Sequence, residues 1–160
     1  MADRMPVSVN VNGTTYVREV EPRDLSLVRA RESEIATYLN ALGFPGVFFR
    51  SCGFQPTFQK HAGVSCGGVQ VHVKDRKSFE PVITGVAMVK LAYDMYPDQF
   101  RWKDPPYEYV YDQNPFDVIS GTNKIREAIE QGSQLQEIEA SWKVGLAEFR
   151  TLREGYLMYQ

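Results

Sequence analysis

The only two cysteines and the only two histidines of the chain, Cys52, His61, Cys66 and His72, fall within one short segment. Two thiols and two imidazoles are the donor set that tetrahedral zinc prefers. Their spacing works against a metal site. It contains neither a CxxC nor an HxxxH pair, so no two donors are held by one tight turn or one helix face. Metal and other cofactors are therefore not expected. Thiol catalysis would use Cys66 as nucleophile, His61 or His72 as base and Asp75 to orient the base. Any chain with a cysteine, a histidine and an aspartate offers the same ingredients, so buried thiols and ordinary histidines are the simpler assignment.

The loop from Lys60 to Gly68 reads KHAGVSCGG and carries three glycines between two strand-like runs. Glycines in such a place give either left-handed turns or a close approach of ligand to bare backbone. No GK[ST] follows, and no helix begins there, so a phosphate loop is excluded. A hairpin turn and a ligand-contacting loop both remain open. Carboxylates gather further on, at Asp104, Glu108, Asp112 and Asp117. A glycosidase needs two carboxyls roughly 5–10 Å apart across the scissile bond. Loop spacing cannot establish that distance, and Asp117 already has a helix start to serve. Glu108, Asp112 and Asp117 stay as catalytic candidates only for a chain that hydrolyses glycosides alone. Phe48, Phe49, Phe54 and Phe58 beside Arg50 and Lys60 have the residue types of a base-stacking sheet. No full RNA-binding signature accompanies them, and core packing is expected instead.

These residues need elements to hold them. Val7, Val9 and Val11 alternate up to Asn12-Gly13, and the pattern resumes over Thr14–Val20, which predicts a hairpin. Glu21-Pro22-Arg23-Asp24 then reads as a connector. Ile35, Tyr38, Leu39 and Leu42 predict one helix face, stopped by Gly43 and Pro45. Residues 46–51 and 54–59 predict aromatic-rich strands, and Val69, Val71 and Val73 a half-buried one with His72 on its polar side. Ser78 is placed as the cap of a helix with Val82, Val86, Val89 and Tyr93 on its stripe. Residues 98–113 read as a long ordered loop with one short strand. Asn114-Pro115-Phe116-Asp117 is a helix start: a capping side chain, a proline that loses no needed N–H, and an acid at the positive dipole end. Gly121 ends that helix and Thr122 opens another, with Ile125 and Ile129 inward. Ser133 with Gln136 predicts a capping box for the last helix, whose stripe is Leu135, Ile138, Trp142, Leu146, Phe149 and Leu152. Strands mostly first and helices mostly last give an α+β fold: a small, mostly antiparallel sheet packed by four or five helices in a single domain.

Composition agrees and excludes much else. The 160 residues carry 18 basic and 20 acidic side chains, a net charge of −2, and 43% hydrophobic residues. That size buries roughly 70% of the unfolded chain's surface, so a core needs no disulfide or metal. The charge balance gives no field to gather nucleic acid or a membrane surface. No apolar run approaches the roughly 20 residues of a membrane span. The first twenty residues lack a signal-like apolar stretch, which places the chain as written in the cytoplasm.

From about Val28 to Tyr159 the sequence resembles the C-terminal region of the peptidoglycan exo-β-N-acetylmuramidases of the NamZ type. The resemblance rests on ordered blocks: YLNALGFPGVFFR, FQPTFQKHAGVSCGGVQVHVKDRKSF, YPDQFRW, PPYEYVYDQNPFDVISGT and FRTLREGYLMY. It implies a glycoside hydrolase family of bacterial cell-wall chemistry, releasing terminal N-acetylmuramic acid from peptidoglycan fragments. Such proteins pair a larger N-terminal Rossmann-like domain, which holds most catalytic carboxylates, with the domain seen here across a cleft. Residues 1–27, a hairpin and connector, have no match in the family, and residues 28–160 form the C-terminal domain. The expectation is therefore an accessory module without the catalytic domain. It would dock on a separately encoded catalytic half, or bind a muramyl sugar or peptide. Lys60, His61, Cys66, Gly67, Gly68, Gln70 and His72 are the candidate substrate-binding residues, Lys60 and His61 facing a lactyl or peptide carboxylate. The alternatives are a self-sufficient hydrolase and a structural remnant without ligand.

Overall fold

In the computed structural model the described residues are 5–11, 14–20, 25–58 and 62–159, with side chains from 31 onward. They fall into two compact units divided between Arg101 and Trp102. The fold is α+β, with two two-stranded antiparallel sheets and five helices among the described residues.

The first unit opens with the hairpin of β1 (Met5–Val11) and β2 (Thr14–Val20), registered from Met5↔Val20 to Val11↔Thr14. Its Asn12-Gly13 turn and the connector at 21–24 lie outside the described residues. Helix α1 (Leu25–Ala41) follows, then β3 (Val47–Phe54) and β4 (Cys66–Val73), paired from Val47↔Val73 to Phe54↔Cys66. β1 passes beside β4, and α1 packs on both β3 and β4. The core lies there: Ala36 and Leu39 of α1 meet the face of the sheet that carries Phe49, Val69 and Val71, all buried. Tyr38, expected on the inner face of α1, is 49% exposed because Ala36 takes the inward position one turn from Leu39.

One side chain ties this helix to the strand edge. Asn40 donates from Nδ2 to the Phe49 carbonyl at 2.7 Å, and its Oδ1 accepts from the Phe49 N–H at 2.9 Å. The Phe49 backbone therefore faces outward, away from β4.

Two strand assignments are corrected. Residues 55–58 are not a strand: Pro56 has no N–H for a ladder, and its carbonyl instead accepts from Gly63 N–H at 2.8 Å. Conversely, Cys66, Gly67 and Gly68 are not loop but the first residues of β4. The phenylalanines also divide. Phe49 is core, whereas Phe48 and Phe58 are exposed, as alternation along β3 requires of Phe48.

Helix α2 (Pro81–Met95) has proline in its first turn and no side-chain cap. Ser78 instead donates from Oγ to Asp75 Oδ2 at 2.7 Å, closing the turn before the helix. The buried set is Ile83, Thr84, Val86, Ala87 and Leu91, while Val82 is exposed, so the stripe is rotated by one residue from expectation. The buried Thr84 hydroxyl donates to the Glu80 carbonyl at 2.7 Å, which removes its desolvation cost.

The second unit begins with a loop in which Tyr107 and Val110 form an isolated antiparallel bridge. Helix α3 (Pro115–Ser120) starts as the residues dictate: Asn114 Oδ1 accepts from Phe116 N–H at 2.9 Å, and Gly121 ends the helix at φ 70°. In α4 (Lys124–Glu130), Ile125 and Ile129 are buried. The capping box of α5 (Leu135–Glu154) is Gln134 with Glu137, one residue later than Ser133 with Gln136. The cause is local. The Ser133 N–H already donates to the Ala128 carbonyl at 3.0 Å, finishing α4, so α5 opens at the next residue.

The stripe of α5 is the larger correction. Ile138 is buried and Trp142 half-buried, but Leu146, Phe149 and Leu152 are 41%, 56% and 62% exposed. Their spacing is helical throughout; among the described residues nothing buries the second half of the stripe. None of the described helices is long and apolar enough to cross a membrane.

Candidate functional site

The β3–β4 register sorts the candidate binding residues by face. Residues 48, 50, 52 and 54 oppose 72, 70, 68 and 66, and successive side chains alternate. Cys66, Gly68, Gln70 and His72 therefore share the face that also carries Arg50 and Cys52, whereas Gly67 lies on the core face beside Val69 and Val71. Cys66, Gly67 and Gly68 are all buried, and Gln70 and His72 are half-buried. Lys60 and His61 lie outside the described residues.

Three features give this face its chemistry. Arg50 Nη2 donates to Gln70 Oε1 at 2.8 Å across the strands. Lys74 Nζ stands 4.8 Å from the centroid of the Phe48 ring, a cation–π contact one residue pair beyond. His72 Nε2, between them, is buried and without a hydrogen-bond partner. The sequence sets Arg50 only beside the phenylalanines and does not offer Lys74 as a site residue, because their relation to Gln70 and His72 appears only once the strand register is known.

The thiols are poorly placed for attack. Burial pushes the Cys52 thiol up, Glu32 adds to the rise, and Arg50 partly opposes it; burial alone raises Cys66. Cys66 Sγ donates to the Val64 carbonyl at 3.4 Å, and both cysteines are unpaired. Asp75 serves its own turn: the Ser78 hydroxyl, then the Lys77 N–H at 3.0 Å, hold its carboxyl below the usual range. A raised thiol pKa means less thiolate at neutral pH, and thiolate is the reactive form. Both cysteines are therefore expected to react with Ellman's reagent at pH 8 at least tenfold more slowly in the folded chain than in 6 M guanidinium. Equal rates would mean the thiols are open. Among the described residues, no three His, Cys, Asp or Glu side chains gather closely enough to hold a metal ion.

The candidate carboxylates occupy the second unit. Asp112 and Asp117 line one open cavity of about 550 Å³ with Asn114, Asn123 and Arg126 among its walls. Arg126 Nε donates to both Asp117 oxygens at 2.9 and 3.0 Å, and its Nη1 reaches Glu130 at 3.1 Å. These contacts raise the Arg126 guanidinium pKa further, Asp117 contributing most. Asp117 thus serves a structural ion pair, nine residues apart in sequence, that no local pattern announces. Glu108 stands apart from the cavity, exposed, with φ 51°.

A family profile described as the C-terminal part of the exo-β-N-acetylmuramidase NamZ matches residues 27–159. The Bacillus subtilis peptidoglycan β-N-acetylmuramidase NamZ is 38% identical over 129 residues, 81% of this chain. The crystal structure of a DUF1343 family protein from Bacteroides fragilis superposes with a TM-score of 0.65 at 26% identity, also over 81% of this chain. This chain spans 29% of the length of the first protein and 33% of the second. Matched from α1 to the end of α5, the chain belongs to the family of NamZ C-terminal domains.

Proposed function

We propose that this domain is the accessory part of a peptidoglycan exo-β-N-acetylmuramidase and docks on a Rossmann-like catalytic half through the uncovered stripe of α5. The observation that carries the reading is that stripe. It begins buried at Ile138 and continues in the same helical period through Leu146, Phe149 and Leu152 with no cover. Lone domains rarely leave contiguous apolar surface beyond a few hundred Å². An amphipathic helix laid into a partner's groove is a recurrent recognition mode. Most of the Bacillus relative lies outside the matched region, which leaves room there for the catalytic domain that the family resemblance implies. The carboxylates support an accessory role: Asp117 is taken up by Arg126, and Glu108 stands apart from the cavity that Asp112 lines. A hydrolase acting alone needs two carboxyls flanking one bond, one of them a proton donor.

Two measurements test the proposal. The purified chain should release no chromophore from a chromogenic N-acetylmuramic acid glycoside. It should bind the N-terminal portion of the Bacillus relative, and Phe149→Asp with Leu152→Asp should weaken that complex at least tenfold. Each buried side chain of this size contributes about 1.5–3 kcal/mol, and 1.4 kcal/mol is tenfold. Turnover by the chain alone, lost in Glu108→Gln or Asp117→Asn, would overturn the accessory role. Failure to associate, with no turnover, would leave a remnant without a partner.

A second role is favoured by the orphaned His72 Nε2 between Arg50 and Lys74. That face suits the lactyl or peptide carboxylate of a muramyl ligand, which cationic donors bind by charge-assisted hydrogen bonds. Gln70 and Arg50, paired across the strands, would orient it.

A further inference from the structure

The loop that enters the second unit carries two tyrosines that the fold does not use. Tyr109 and Tyr111 are 89% and 72% exposed. They do not sit on a frayed segment. Tyr107 and Val110 bond each other both ways, N–H to carbonyl, at 2.9 and 3.0 Å, closing a tight turn under Tyr109. Glu108 in that turn is the only described non-glycine residue at positive φ, 51°, a conformation costing roughly 1–2 kcal/mol that the surroundings must impose. The turn hands the chain directly to Asp112, Gln113 and Asn114, three walls of the 550 Å³ cavity. Its volume lies within the roughly 300–1,000 Å³ of small-ligand sites.

We propose that Tyr109 and Tyr111, with the adjoining polar cavity, form a glycan-binding subsite that holds pyranose rings of a β-linked amino-sugar strand. The proposal rests on the muramidase reading and deepens it, by adding a place for the strand beyond the terminal sugar. The chemistry of a pyranose is two-sided. Its axial C–H groups form an apolar face that lies well on an aromatic ring, and its hydroxyl and acetamido groups point outward as donors and acceptors. Tyrosine presents a large, rigid, apolar plane with a polar tip at low conformational cost. The cavity whose lining begins at the residue after Tyr111 supplies the other half: the Asp112 carboxylate, exposed to solvent, together with the amide of Gln113. Asp117 and Arg126 also line the cavity, and their ion pair fixes both side chains in its wall. A tyrosine pair exposed to this degree gains little from folding, since most of each side chain stays in water.

The probe is a peptide-free glycan strand of alternating N-acetylglucosamine and N-acetylmuramic acid, immobilised in an affinity gel, with a chitohexaose gel beside it. The whole chain is expected to be retarded by the glycan strand. Tyr109→Ala with Tyr111→Ala should lower that affinity at least tenfold, while Tyr109→Phe with Tyr111→Phe should retain it, because stacking needs the ring and not the hydroxyl. Retardation by chitohexaose as well would assign recognition to the shared pyranose backbone. Equal retardation of the alanine variant, or none for the unaltered chain, would overturn the subsite. Both tyrosines are exposed, so the variants should keep the native near-UV circular dichroism. Phe149→Asp serves as the control that separates the two proposals. It should weaken docking and keep glycan retardation, and loss of retardation in this variant would overturn the tyrosine subsite.

Discussion

Gly46→Ala should cost about 2–6 kcal/mol, whereas Gly43→Ala, three residues away, should cost only about 1 kcal/mol. Both glycines have left-handed backbones, at φ 68° and 69°, so both substitutions carry the same conformational penalty. They differ in what a Cβ would meet. At Gly43 nothing lies within 4 Å. At Gly46 the new carbon would press on the Asp75 carbonyl oxygen, stand 2.7 Å from Ser78 Oγ and 3.0 Å from Phe79 N. Two of those are backbone atoms, and the third is held by its bond to Asp75. The Gly46 carbonyl also accepts from the Lys74 and Asp75 N–H groups at 2.7 and 3.1 Å, so the strand entry and the turn before α2 cannot part without losing both bonds. Urea unfolding followed by far-UV circular dichroism measures the difference. Equal losses at the two positions would mean that the close approach does not exist. Tryptophan fluorescence gives an internal control, because the only two tryptophans, Trp102 and Trp142, belong to the second unit.

Ile138→Ala should destabilise the second unit by about 2–5 kcal/mol, and Leu152→Ala by no more than about 0.5 kcal/mol. The two residues lie on the same stripe of the same helix, and both are large aliphatic side chains. Ile138 is 1% exposed and Leu152 62%. Removing the first leaves a cavity among packed neighbours; removing the second returns apolar surface already in water. Trp142, one turn after Ile138, reports the transition by its fluorescence. A comparable loss at Leu152 would show that the distal stripe is covered, and would remove the surface on which docking depends.

This pair also marks where sequence reading stops. A helical period specifies that residues share a face, and it did so correctly from Leu135 to Leu152. It does not specify that a partner surface exists opposite each of them. Features fixed by neighbouring residues were legible: the β1–β2 hairpin strands, the Asn114 cap with Pro115 behind it, and the inward Ile125 and Ile129. Features fixed by competition between neighbouring elements were read one residue out. Ser133 looked like the cap of α5 because its demand from α4 was invisible until both helices were placed. In the candidate site the limit is register. The motif put Cys66, Gly67, Gly68, Gln70 and His72 forward together, but the register sets Gly67 on the opposite, core face from the other four. Arg50 and Lys74 joined the others only through strand pairing. The Arg126–Asp117 pair had no local signal at all, and it turns a candidate acid into a structural anion.

The amide of Asn40 has one further effect. An exposed strand edge is a template on which another chain can add itself, by design in peptide recognition or by accident in aggregation. At the midpoint of β3 the two outward backbone groups, the N–H and carbonyl of Phe49, are already occupied by a side chain that imitates the next strand. An incoming segment would have to displace α1's last turn before making its first pair of bonds. The β3 edge is thereby blocked at its midpoint, so a segment adding to this edge could not run an unbroken ladder past Phe49.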